Sequence, residues 1–254
     1  MMNYTKSECY RVTHTKGIYL TTGILTILVL LLNVLDSLFG GIYATNSFSY
    51  SNLVGYPMMY GVMGVNIAYV LYEGSRKNGN LKNTVASGIS RVEIFAGECI
   101  VSIAAATVSM IWVISVWVIS AEMLLEKTGP VSLSDFLMEV PAMYLIAVAC
   151  LISSIVFLDF LGNLIAAGIT WIAIWFFLPT AFKLLGFRFN MLAGIAMWFP
   201  ENFLEVNRLH VNLSECITAW DSSAGLARCI LSGAGLAAVF SLLGVLLLRK
   251  KDLS

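Results

Sequence analysis

Charge is scarce in this chain: Asp, Glu, Lys and Arg make up 12% of its 254 residues, where a soluble domain carries about 25%. That scarcity excludes water as the main solvent. The net charge is zero, with 15 basic and 15 acidic residues, which excludes the long-range field a nucleic-acid binder needs; no nucleic acid is expected as a partner. Histidine is rarer still, with only His14 and His210. No GxxxxGK[ST] phosphate loop, HExxH pair or GxSxG elbow is present, so ATP hydrolysis and the common hydrolytic mechanisms lack their parts. The chain is expected not to be an enzyme and to carry no metal or cofactor of its own. Five cysteines, Cys9, Cys99, Cys150, Cys216 and Cys229, show no CxxC or Cys/His spacing. They read as structural thiols, with a Cys216 to Cys229 bridge left open.

What the chain does have is long apolar runs, with 59% hydrophobic residues. A bilayer core of about 30 Å needs about 20 apolar residues as a helix. Six segments meet that requirement: 17–39, 53–72, 99–121, 140–158, 160–182 and 229–248. The expectation is an all-α membrane protein, a single membrane-spanning domain over 1–254 with six transmembrane helices. Segments four and five are parted only by Asp159, Gly162 and Asn163, which suits a tight helical hairpin. The polar leader with Lys6, Arg11 and Lys16 resembles the front of a signal peptide, but the run behind it is too long for one and no A-x-A site closes it, so a retained first helix is expected.

Basic residues orient the spans. Placing both termini inside puts Lys6, Arg11, Lys16, Arg76, Lys77, Lys82, Arg91, Arg249, Lys250 and Lys251 in the cytoplasm and leaves Lys127, Lys183, Arg188, Arg208 and Arg228 outside. His14 and His210 then lie on opposite faces. Residues 1–16 become a cytoplasmic interfacial segment, 73–94 a cytoplasmic loop and 183–228 an outer loop. Within the outer loop, 189–200 is apolar but too short to cross. A re-entrant helix and a surface-lying one both fit it, and Pro200-Glu201 reads as a helix stop and restart.

Ionisable residues in spans are few and near the ends: Asp36, Glu98 and Asp159. Interface placement accounts for them without a proton relay. Asn33 shares a face with Asp36 at i, i+3, and Asn66 lies mid-span; these are weak candidates for a substrate path, interhelical hydrogen bonding being the commoner use. Trp171 and Trp175 share a face at i, i+4, with packing as the default and an aromatic substrate wall as the alternative. Broken helices and midplane carboxylates, which ion-coupled carriers need, are not evident.

The cytoplasmic loop opens with Glu73 and Gly74, passes a turn at Asn78-Gly79 and then shows helical spacing in Leu81, Val85, Ile89 and Val92. A short amphipathic helix broken at Ser87-Gly88, followed by a start capped by Ser90, is expected; a loop drawn to anionic lipid is the plainer reading. The order Glu73-Gly74, Lys82-Asn83-Thr84, then Ser87-Gly88-Ile89-Ser90-Arg91 before span three resembles the type-two ATP-binding-cassette exporter permeases. The six-span layout, the outer region before span six and the closing Arg249-Lys250-Lys251-Asp252-Leu253 are similar to that family too. Glu98 departs from it, where many relatives carry a basic residue.

The resemblance implies a bacterial, multi-pass plasma-membrane subunit. It pairs with a second permease copy or a paralogous one and with two separate ATPase subunits that use ATP and magnesium. It further implies that the coupling loop docks on the ATPase through Glu73, Gly74, Lys82, Asn83, Gly88, Ile89, Ser90 and Arg91. Permeases of this length resemble exporters of amphipathic or antimicrobial peptides, including lantibiotic-immunity systems. A stand-alone ion-coupled carrier or intramembrane enzyme, and a non-transporting membrane scaffold, are the alternatives.

Overall fold

A computed structural model gives the fold; the structure describes residues 2–77, 85, 88–209 and 215–250. The chain is mostly helical. In order it forms α1 (Met2–His14), α2 (Lys16–Phe39), α3 (Asn46–Val54), α4 (Met59–Lys77), α5 (Arg91–Leu124), α6 (Leu133–Leu161), α7 (Leu164–Gly186), α8 (Asn190–Ala196), α9 (Pro200–Leu204) and α10 (Ser223–Lys250). A two-residue antiparallel pair, β1 (Arg208–Leu209) with β2 (Cys216–Ile217), lies between α9 and α10. Among the described residues five helices are long and apolar enough to cross a membrane, six if the bent pair α3 and α4 counts as one span.

Local chemistry sets most boundaries. After α2, Gly40 and Gly41 take φ of 70° and 61°, a region costly for any side chain, so the helix stops there. Gly162 at φ 68° ends α6, and the Asn163 side chain caps α7 by accepting from the backbone N–H groups of Ile165 and Ala166 at 2.8 and 3.3 Å. The hairpin expected at Asp159 to Asn163 is therefore formed. α7 runs through one π-helical stretch, Ala173–Phe177.

Three expected boundaries are corrected. Span two was expected over 53–72; instead α3 ends at Val54 and α4 starts at Met59, with their axes bent by 69°. Pro57 lacks an N–H and disfavours helical backbone at Tyr56, which accounts for the break. Span four was expected from 140, but α6 starts at Leu133, where Ser132 and Asp135 form a reciprocal capping box. Glu139 therefore lies inside the helix. The apolar stretch 189–200 is not one helix: α8 has seven residues and α9 five, too short to cross. Pro200 does restart the helix, as the first residue of α9. Cys216 and Cys229 are free thiols, so the bridge is not formed.

α6 is the axis of the bundle, far more enclosed than the other spans. Small residues let its neighbours approach. A Cβ added to Gly233 of α10 would lie 2.6 Å from the backbone nitrogen of Ile146, and one on Gly61 of α4 would lie 2.7 Å from Cys150 Sγ. Close backbone contact of this kind gives dispersion energy where lipid offers no hydrophobic drive.

Candidate functional site

Chemistry-bearing residues gather in three places. The first is the end of the bundle where α1, the turn into α5 and the last turn of α10 meet. Arg11 of α1 donates from Nη1 to the Leu71 carbonyl of α4 at 2.6 Å and is held by Glu8 through Nη2 at 2.6 Å and Nε at 3.1 Å. The Tyr4 ring lies over Gly97 of α5, where an added Cβ would come within 2.8 Å of it. Burial, reinforced by the Glu98 and Glu8 carboxylates, pushes the Tyr4 phenol far above its ordinary value, so it stays neutral. The interfacial segment expected over 1–16 is thus a helix strapped across α4 and α5.

At the same end Ser90 caps α5, as its sequence position suggested. Its Oγ accepts from Glu93 N at 3.3 Å, and the Glu93 carboxylate accepts from Ser90 N at 3.2 Å. Arg91 donates to the Leu248 carbonyl at 3.2 Å, satisfying a backbone group near the end of α10. Gly88 takes φ 90° and donates to Val85 O at 3.0 Å, and Ile89 is half-buried. Glu73 and Gly74 fall in the last turns of α4. Lys82 and Asn83, with most of the expected coupling helix, lie outside the described residues.

The second place is the opposite end, around α3. Asn33 is fully buried: its amide donates to Ser120 Oγ at 2.6 Å and to the Trp117 carbonyl at 3.2 Å, and its oxygen accepts from Ser49 Oγ at 2.5 Å. Trp117 Nε1 donates to Ser49 Oγ at 2.8 Å. A second set follows on the rim, where Tyr50 and Asn46 donate to Glu122 Oε1 at 2.8 and 3.2 Å and Lys127 pairs with Glu122 Oε2 at 2.6 Å. These bonds fix α3 to α2 and α5.

The substrate-path candidates do not come together. Asn33 is consumed by this network, and Asp36 is buried one turn further along α2. Asn66 faces outward from α4 and, among the described residues, donates to Val62 O of its own helix at 3.0 Å. Trp171 and Trp175 are buried and stacked at 6.2 Å, donating to the Cys150 carbonyl at 3.1 Å and to Ser153 Oγ at 2.9 Å. They pack α7 onto α6.

The third place was missed in the sequence. Glu139 of α6 is 0% exposed, and neither carboxyl oxygen has a hydrogen-bond partner among the described residues. The Tyr60 phenol of α4, also buried and unpartnered among them, lies within electrostatic reach of it. The signal was there: Ser132-x-x-Asp135 marks a helix start, which sets Glu139 almost two turns inside the span.

Two apolar hollows open between the helices. One of about 560 Å³ lies between α1, α2 and α5, against Tyr19, Val101, Val108 and Trp112. The other, about 190 Å³, lies between α4, α5 and α6 and is lined by Tyr60, Met110, Tyr144 and Leu151. A third hollow of about 380 Å³ sits in the α3 to α4 bend, with Tyr56, Met59, Phe176, Glu201 and Glu205 around it. Burial and then Glu205 push the Glu201 carboxyl up, against the opposing pull of Lys183, which pairs with Glu205.

No protein-family model, no curated protein and no solved structure matches this chain.

Proposed function

We propose that the chain is the membrane-spanning subunit of an ATP-binding-cassette exporter. It moves an amphipathic peptide, or similar hydrophobic cargo such as an antimicrobial peptide of the lantibiotic class, out of a bacterial plasma membrane. Separate ATPase subunits, two per complex, supply ATP hydrolysis with magnesium, and a second permease completes the pathway. The observation that carries this reading is the way the helices on either side of residues 78–90 are tied to others. Arg91 joins the start of α5 to the end of α10, and Arg11 joins α1 to the Leu71 carbonyl of α4. A push on that segment therefore reaches four helices rather than one. The basic residues on this side support a cytoplasmic position for it by the positive-inside rule.

The test is co-purification with an ATPase subunit together with the double variant Arg91→Glu, Gly88→Pro. Proline cannot adopt the φ of 90° at Gly88, so the turn into α5 is lost. Cargo export should fall at least about tenfold, equivalent to about 1.4 kcal/mol, while membrane insertion stays normal. Unchanged export with no ATPase recovered would overturn the reading. An ion-coupled carrier working alone is the second reading. It is favoured by the bent α3 and α4 pair and by Glu139, since broken helices and intramembrane carboxylates mark such sites.

A further inference from the structure

We propose that Glu139, with Tyr60, is a proton-binding site inside the membrane, occupied in the packed conformation and emptied when α4 swings about the bend after α3.

Glu139 lies six residues beyond the start of α6, about 9 Å down the helix axis. It sits on the enclosed face formed by Phe136, Ala142, Met143 and Ile146, all with 0% exposure. An ionised carboxylate there has no cation and no donor to replace water, an arrangement that proteins avoid by neutralising the group. The site also limits what can neutralise it. Glu139 and Tyr60 supply three oxygens, and among the described residues no group of three or more His, Cys, Asp or Glu comes together to hold a metal, whereas hard metal cations take six or more oxygen ligands. A proton needs one.

The ionisable groups on the helices packed around α6 do not supply a counter-charge. On α3, Tyr50 gives its hydroxyl to Glu122 of α5, which is paired with Lys127. Glu98 of α5 lies at the other end, beside Tyr4 and Tyr72. α10 contributes Cys229, a buried thiol, and Arg228, whose guanidinium lies over the Trp198 ring at 5.9 Å, and α7 contributes Lys183, paired with Glu205 at the rim. On α6 itself Asp135 caps Ser132 at the helix start, and Cys150 is a buried thiol. The Tyr60 phenol lies within electrostatic reach of the carboxyl group, with no hydrogen bond between the two.

Release requires water, and the structure places a movable element next to the site. Tyr60 is the second residue of α4, immediately after the break at Gly55 to Met58, and it lines the hollow between α4, α5 and α6. A rotation of α4 at that break would draw Tyr60 from Glu139 and open the carboxyl to the hollow. The proton would then pass to water, leaving the carboxylate hydrated.

This inference goes beyond the permease reading and supplies the ion for the carrier reading. Its test needs neither cargo nor ATPase, so its failure and theirs are separable. The full chain, wild type and Glu139→Gln, is reconstituted in phosphatidylcholine vesicles and infrared difference spectra are recorded across pH. The wild type is expected to show a protonated-carboxyl band at neutral pH that Glu139→Gln lacks. Tyr60→Phe should shift that band without removing it, because the neighbouring phenol is lost. Thermal stability of Glu139→Gln should match wild type at neutral pH, the amide having the shape of the neutral acid, and should lose the fall that wild type shows in alkali. Absence of the band, collapse of Glu139→Gln, or wild-type stability that depends on sodium or potassium would each overturn the proposal.

Discussion

The buried amide of Asn33 is expected to carry much of the attachment of α3. Asn33→Ala deletes three hydrogen bonds, to Ser120, Trp117 and Ser49, and leaves the Ser49 hydroxyl without its acceptor. Hydrogen bonds between membrane helices average about 0.6 kcal/mol and reach about 1.7, so three together with a cavity the size of an amide group cost about 2 kcal/mol. Because Trp117 still donates to Ser49, α3 is loosened rather than freed. Pairing Asn33→Ala with Ser49→Ala isolates one bond; the cycle should give a coupling of about 1 kcal/mol. Unfolding in mixed micelles followed by tryptophan fluorescence measures the total. Amide exchange over Asn46–Val54 measures the local effect, and protection there should drop about 30-fold for 2 kcal/mol. A cost below about 0.5 kcal/mol, or a cycle that is additive, would refute the argument that this network holds α3.

Two further outcomes follow from close geometry and from a perturbed thiol. Gly233→Ala forces a methyl group to 2.6 Å from the backbone of α6 and should cost about 2–3 kcal/mol as overpacking. Gly235→Ala, whose methyl group meets nothing within 4 Å, should cost nothing measurable in the same thermal melt. Burial, with Asp135 and Asp221 adding to it, pushes the Cys216 thiol up to about 11. The raised value leaves little thiolate at neutral pH, so in a Cys9→Ser background maleimide labelling of Cys216 should be slow at pH 7 and rise about tenfold per pH unit toward 11. A flat profile would contradict this.

The spans themselves were legible because each is a run of Leu, Ile, Val and Ala long enough to cross, and runs of that kind do not depend on tertiary contacts to be recognised. The hairpin at Gly162-Asn163 was legible for the same reason, since one glycine and one capping side chain decide it locally. The α3 to α4 bend was hidden. Hydropathy averages across Gly55 and Pro57, and the short α3 is polar on the face that meets Asn33 and Glu122. Glu139 was hidden by starting the span at the first residue after the last charge, a rule that removes intramembrane carboxylates by construction. The fates of Asn33 and Asn66 depend on which way a helix turns its face, and that is fixed by neighbours far away in sequence.

The two ends of the bundle are built differently, and the difference bears on how it would move. At the end holding the 78–90 segment, long arginines reach main-chain carbonyls of other helices, Leu71 and Leu248, bonds that survive side-chain rearrangement elsewhere because the acceptors belong to helix backbones. At the other end side-chain to side-chain bonds through Ser49, Asn33, Tyr50 and Glu122 join the attachments, beside the bond from the Asn33 amide to the Trp117 carbonyl and the backbone ties of Glu126 to Ala44 and Asn46. The break at Gly55 to Met58 adjoins them, and Glu139 and Tyr60 carry unmatched polar atoms nearby. Force applied at the strapped end would therefore tilt α4 and α5 together, and the slack would be taken up at the bend. Proton release from Glu139 would be coupled to that slack. On this reasoning Asn33→Ala should raise the exchange of α3 amides and ease deprotonation of Glu139 together, whereas a change at Arg91 should leave both untouched.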